Sequence, residues 1–177
     1  MSVVRDRQAY RAQVVAAGEP WLEIDLGQQR LWLRRGDQAE AEYLVSTARN
    51  GPGERNGSNC TPRGWHKIRA KIGAGAPAGA VFVGRRPTGE VYDAALGRAF
   101  PERDWILTRI LWLSGLEPGV NRLGACDTMR RYIYIHGCPD TERMGVPGSA
   151  GCIRMRNAEL IELFERVPVY TPVLIRE

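Results

Sequence analysis

A thiol and an imidazole brought together near neutral pH make a nucleophile and its base. This chain of 177 residues places one of each sixteen positions apart, at His136 and Cys152. It contains only two histidines and four cysteines, and the stretch YIYIHGCPDTERMGVPGSAGCIRMRN, Tyr132 to Asn157, holds one of the first and two of the second. The apolar run YIYI reads as a strand that delivers His136 to its end, where Gly137, Pro139, Gly145, Pro147 and Gly148 break the chain into a loop that folds back to Cys152. An unperturbed thiol is only ~3% ionised near neutral pH, and a neighbouring imidazolium raises that fraction. Attack on a carbonyl needs an oxyanion hole, which the backbone N–H groups of the Ser149-Ala150-Gly151-Cys152 turn can supply. Arg154, two residues on, has the planar fork that grips a carboxylate.

The same residue types also have plainer uses. A His beside a Cys often only packs, and Cys138 reads as a small loop residue rather than a rival nucleophile. His66, in TPRGWHKI, reads as a strand or surface residue, and Cys60 and Cys126 as unpaired thiols. Asn157 is explained by helix capping. With no CxxC or HxxxH spacing, no metal site and no cofactor are expected. A redox or metal-binding protein built on the cysteines and histidines, and a module that binds without catalysis, stay open at this level.

The elements that must hold these groups read mostly as strands. Residues 2–17 suit a helix capped by Ser2, with Tyr10, Val14 and Ala17 on one face, stopped by Gly18 and Pro20. The period then changes to two: WLEIDL, QRLWLRR and AEAEYLVS, joined by turns at Gly27-Gln28 and Gly36-Asp37, predict a half-buried antiparallel meander. TARNGPGERNGSNCTPR is loop. WHKIRAKI, VFVGRR, WILTRILWL and YIYIHG follow as strands, the last two apolar enough to be central. Asn157 opens a helix whose face is Leu160, Ile161, Phe164 and Val167, and TPVLIRE is a last strand. Many short strands with few helices predict a β-rich mixed sandwich or barrel. GLEPGVNRLGACDTMRR, an insertion-like segment, suggests a lid.

Composition narrows the function classes. At 44% apolar and 25% charged residues, the chain is an ordinary globular sequence of single-domain length, expected to be a monomer. The charge of +5 favours an anionic partner, but the basic residues are scattered and no nucleic-acid-binding pattern appears, so nucleic acid is not expected. No run reaches the ~18 apolar residues of a membrane span. Arg5, Asp6, Arg7 and Arg11 interrupt what would be a signal peptide's apolar stretch. A cytoplasmic location is therefore expected, or a periplasmic one if an export signal has been removed.

The pattern IHG, a Gly- and Pro-containing loop, S-x-G-C-I-R-M-x-N, a helix and the ending V-P-V-x-T-P-V-x-I resembles the YkuD-type L,D-transpeptidase catalytic domain. QRLWL, LVSTARNG, Gly57-Ser58 and Thr61-Pro62-Arg63-Gly64 are similar to the family's opening strands and G-S-x-x-T-P-x-G element. The resemblance divides the chain into an N-terminal helical extension, 1–19, and a catalytic domain, 20–177. It implies a β-rich fold of that type with a few short helices, and an acyl-enzyme mechanism on peptidoglycan stem peptides. Cys152 would be the nucleophile, His136 the base, and Gly137 the source of a carbonyl that orients the imidazole. The amides of Gly151 and Cys152 would form the oxyanion hole. Arg154, Ser149 and Ala150 would bind substrate, with Arg109 and Arg131 as further candidates; Ala150 stands where the family often has His or another polar residue, which implies altered specificity. A cytoplasmic member would fit an L,D-carboxypeptidase that trims terminal D-alanine from tetrapeptides in murein recycling. The alternative is an L,D-transpeptidase that crosslinks or anchors proteins.

Overall fold

The computed structural model describes residues 3–177. Helix α1, Arg7–Ala17, is capped by Asp6, whose carboxylate accepts from the amides of Gln8 and Ala9 at 2.9 and 3.0 Å, and Gly18 ends it in the left-handed region at φ 68°. The helix thus begins later than the sequence reading had it; Ser2, the expected cap, lies outside the described residues. Strands β1 (Pro20–Asp25), β2 (Arg30–Arg35) and β3 (Gln38–Leu44) form the predicted antiparallel meander. The expectation that it is half-buried fails for β1, which is buried on both faces. Leu22 and Ile24 enter the main core, while on the opposite face Trp21 packs with Trp65 beneath α1. Glu23 and Asp25 share that second face and are paired there with Arg34 and Arg176.

Beyond the loop come β4 (Gly64–Ile72), β5 (Ala80–Val83), β6 (Arg86–Val91), helix α2 (Ala94–Ala99) and β7 (Ile106–Gly115). Strands β8 (Tyr134–Gly137) and β9 (Ile153–Met155), helix α3 (Asn157–Arg166) and β10 (Pro172–Arg176) complete the chain. One mixed sheet runs β3-β2-β1-β10-β4-β7-β5-β6, with β8 paired to β7 and β9 to β8. β7 is central as expected, pairing with β4, β5 and β8. The sequence reading had neither α2 nor β9, and the expected strand VFVGRR turns at Gly84-Arg85 into the unforeseen β6. The core-facing side of α3 is Leu160, Leu163 and Phe164, so Leu163 takes the place expected of Ile161. Asn157 is the first residue of α3 and not its cap, which is Arg156.

The segment expected to be a lid is a strapped loop. The side-chain amide of Asn121 donates to the carbonyls of Arg63 and Trp65 at 2.9 and 3.1 Å, and Asp127 accepts from the amides of Leu123 and Arg130. The amide of Asn56 donates to Ala125 O at 2.7 Å. These bonds hold the segment against the start of β4 and the 53–60 loop, and of its residues only Arg131 reaches the cavity of Cys152.

Candidate active site

Strands β8 and β9 run parallel, with Ile135 opposite Ile153 and His136 opposite Arg154. That register puts Cys152, the residue before β9, beside Tyr134, whose amide donates to the Cys152 sulfur at 3.3 Å. Because side chains alternate along a strand, His136 lies on the same face of β8 as Tyr134. His136 and Cys152 accordingly line one cavity of 320 Å³, together with Tyr132, Tyr134, Arg154 and Asp104. The two residues singled out by type and spacing are brought together.

The imidazole is held in one tautomer. Nδ1 of His136 lies 2.6 Å from the Gly137 carbonyl, which can only accept, so Nδ1 carries the proton and Nε2 keeps a lone pair. Gly137 has no room for a side chain: a Cβ there would meet Asn157 Oδ1 at 2.1 Å and Leu107 O at 2.7 Å. Asn157 is what fills that space, donating to the Cys138 carbonyl at 3.1 Å and accepting from the Thr108 hydroxyl at 2.6 Å. The family-motif asparagine therefore braces the turn after His136.

The nucleophile loop is fixed by hydroxyls. Thr61 donates to the Gly151 carbonyl at 2.8 Å and Ser149 to the Cys152 carbonyl at 2.5 Å. Gly151 adopts φ 134°, where a side chain is strained and would press on Ile133 and the Cys60 carbonyl. Its amide donates to the Ser149 hydroxyl at 3.2 Å, so of the two amides expected to face an oxyanion, that of Gly151 is already engaged.

Burial disfavours the ionised form of both reacting groups. The Cys152 thiol is pushed up to about 12, chiefly by desolvation, against the lowering effects of the Tyr134 amide, Arg154 and Arg131. His136 is lowered by burial, partly offset by the Gly137 carbonyl. Both shifts work against the expected imidazolium-stabilised thiolate. The thiol donates to the Tyr132 carbonyl at 3.3 Å.

Arg154 enters the site, but as an ion-paired residue. Its guanidinium lies 3.0 Å from Asp104 and 3.3 Å from Glu142. Asp104, Ser149, Ala150 and Arg154 are shared with a second cavity of 410 Å³, so the groove has two lobes meeting at this arginine. Ala150 is exposed on both. Arg131 lines the first lobe while donating to the carbonyls of Gly53, Glu54 and Cys60.

Arg109 is a correction. It is 4% exposed, donates to the carbonyls of Ala76 and Thr108, and lies under the ring of Phe164, outside both lobes. Its assignment to substrate is withdrawn. His66 is likewise a core residue, bonded to the Gly64 carbonyl and the Thr128 hydroxyl, both at 3.0 Å. All four cysteines are free, with Cys138 buried and Cys60 and Cys126 half-buried. Among the described residues no cluster of His, Cys, Asp and Glu is arranged to hold a metal ion, and no helix is long and apolar enough to cross a membrane. Asp104, Tyr134 and Arg85 were not foreseen as lining residues; nothing local in PERDW marks the aspartate.

Comparison with known proteins shows the family and the fold. The YkuD family model, described as the L,D-transpeptidase catalytic domain, matches residues 19–175. YqjB of Bacillus subtilis (strain 168) is 49% identical over 47 residues, which is 27% of each chain. The L,D-transpeptidase structure (residues 123–326) from Xylanimonas cellulosilytica DSM 15894 is similar at a TM-score of 0.57 and 18% identity, covering 89% of this chain and 60% of that one. L,D-transpeptidase 3 from Mycobacterium tuberculosis, in complex with a faropenem-derived adduct, is similar at a TM-score of 0.55 and 13% identity, covering 89% and 60%. At these identities the solved structures bear on the fold alone, and the chain spans only 27% to 60% of the length of these relatives.

Proposed function

The chain belongs to the YkuD family of L,D-transpeptidase catalytic domains, and from that premise we propose that it acylates its own Cys152 with peptidoglycan stem peptides. One observation carries this reading: Cys152 and His136 open on the same cavity, with His136 Nδ1 pinned by the Gly137 carbonyl so that Nε2 is left to take a proton.

The steps follow from a neutral pair. Substrate binding displaces the thiol from the Tyr132 carbonyl, and Nε2 takes its proton as sulfur attacks the carbonyl that joins the third residue to terminal D-alanine. The Cys152 amide is the donor assigned to the developing oxyanion. Collapse of the tetrahedral intermediate breaks the C–N bond, the imidazolium gives its proton to the departing amine, and D-alanine leaves. His136 then takes a proton from the nucleophile that cleaves the thioester. Moving charge onto sulfur only as the bond forms suits a site in which burial penalises both free ions.

The finer question is what cleaves the thioester. The two lobes meeting at Arg154 give a donor stem and an amine acceptor separate places, which supports transfer to an amine, and hence crosslinking or anchoring. Hydrolysis, the L,D-carboxypeptidase reading, is supported by the open rim, where Asp104 is 61% exposed and water has access. Incubating the protein with free tetrapeptide, with and without a diamino-acid acceptor, and following products by mass spectrometry separates them. Tripeptide joined through a new amide to the added diamino acid, with D-alanine released, is the expected result; tripeptide alone in both arms assigns hydrolysis. A cytoplasmic site of action remains a proposal that fractionation tests.

A further inference from the structure

Behind the wall formed by Arg85 and Tyr132 lies a further cavity of 390 Å³ that the acyl-transfer chemistry does not use. Arg69, Arg85, Arg122 and Arg130 line it, with the faces of Trp112 and Tyr132. Its one carboxylate, Asp127, accepts from the amides of Leu123 at 2.7 Å and Arg130 at 3.0 Å. Arg69, Arg85 and Arg130 against the single carboxylate of Asp127 leave this lining net positive, which favours an anionic ligand. Lys67, nearby, is lowered by burial and then by Arg69 and Arg122, which registers the same local excess of positive charge.

The backbone is shaped to produce this cluster. On β4 the register slips between Ile68 and Ala70, so that Arg69 is an extra residue bulged out opposite the Leu113–Trp112 step of β7. Bulges re-aim a side chain, and this one presents an arginine beside the indole. Arg85 completes the wall: its guanidinium lies 4.5 Å from the ring centre of Trp112 and 5.1 Å from that of Tyr132, and it donates to the Tyr134 hydroxyl at 3.0 Å. Tyr132 sits at φ 56°, a left-handed conformation uncommon for an aromatic residue, and 55% of its surface is exposed. Arg85 and Tyr132 line both the Cys152 cavity and the basic cavity, so the two are neighbours that one extended ligand can reach along the surface.

We propose that the basic cavity is a second substrate subsite, which holds a carboxylate-bearing segment of the same peptidoglycan strand whose stem peptide is attacked by Cys152. This rests on the acyl-transfer reading above. Arginine forks match carboxylates, and the flat faces of Trp112 and Tyr132 suit the apolar sides of sugar or peptide. The volume lies in the range of ordinary ligand pockets.

The test uses the full chain with Cys152→Ala, so that no turnover occurs, with and without the pair Arg69→Gln and Arg130→Gln. Both arginines are exposed, and matching circular dichroism and unfolding midpoints verify the fold. The probes are a muropeptide dimer with free carboxylates, its fully amidated counterpart and a poly(glycerol phosphate) of similar charge. The expected result is that the carboxylated dimer binds about tenfold more tightly than the amidated one, and that the double substitution erases the difference. Equal binding of the two dimers, discrimination that survives the double substitution, or tighter binding of the phosphate polymer would each overturn the proposal. A wild-type chain that turns over tetrapeptide, with a Cys152→Ala chain that does not discriminate between the dimers, overturns the subsite alone. One that discriminates here but is never acylated overturns the catalytic reading.

Discussion

The amide of Tyr134 donates to the sulfur of Cys152 across 3.3 Å, so the nucleophile is positioned by the strand that also carries His136. The parallel pairing of β8 with β9 makes this possible, because it sets the end of the nucleophile loop beside the start of the histidine strand. Distance in sequence is closed by register.

A thiol whose ionisation is disfavoured should react slowly with a small alkylating agent. With its pKa pushed up to about 12, Cys152 is alkylated by iodoacetamide more slowly than free cysteine, and its rate keeps rising with pH where free cysteine levels off. The sign for stability is also fixed. A thiol raised in the folded state favours folding while the unfolded thiol is protonated, and that contribution is lost as pH rises from about 9 towards about 12. A plateau in the alkylation rate below about pH 8 would mean a preformed thiolate.

His66 predicts a loss at the acid side. Burial lowers it from 6.5 to about 4, so the unfolded chain takes up a proton first as pH falls. Its contribution is present above 6.5, disappears down to about 4, and amounts to roughly 3 kcal/mol. Urea unfolding of wild type and His66→Gln over this range should show a weaker pH dependence in the variant.

Gly137→Ala tests the brace. The added methyl would meet the Asn157 side chain and the Leu107 carbonyl, displacing the carbonyl that pins the imidazole. Loss of about 2 kcal/mol of stability and a fall of at least about a hundredfold in kcat are expected. Full activity would show that the Gly137 carbonyl does not orient His136.

Arg154 predicts a split in KM. Its guanidinium is 12% exposed while its partner Asp104 is 61% exposed, so the aspartate is the partner a substrate carboxylate displaces. Arg154→Gln should raise KM about tenfold with a smaller change in kcat, and Asp104→Asn should lower it about threefold. Unchanged KM in both variants would remove Arg154 from carboxylate recognition.

Most strands were legible because their apolar residues recur at the strand period, as in β2, or form runs, as in β7 and β8. β9 was not, since three residues are too few to display a period, and its partner is chosen by the fold. Arg109 was misassigned for a definite reason. It was a candidate for its charge, which does not say which face of a strand it takes; the register of β7 against β8 slips between Leu107 and Ile110, around Thr108 at φ 77°, and the arginine lies in the core beneath Phe164. The His136 and Cys152 pair was readable because residue type and a turn-rich loop announced it. Asp104 was not, because it meets Arg154 only after fifty intervening residues have folded.

The most direct test of the central claim is intact-protein mass spectrometry after incubation with a penem or carbapenem, a strained acyl donor that a nucleophilic thiol opens. Wild type should gain the mass of one acyl group, mapped by peptide digestion to Cys152, with none on Cys152→Ala and much slower gain on His136→Ala. An adduct on Cys60, Cys126 or Cys138, or one that persists in Cys152→Ala, would contradict the account.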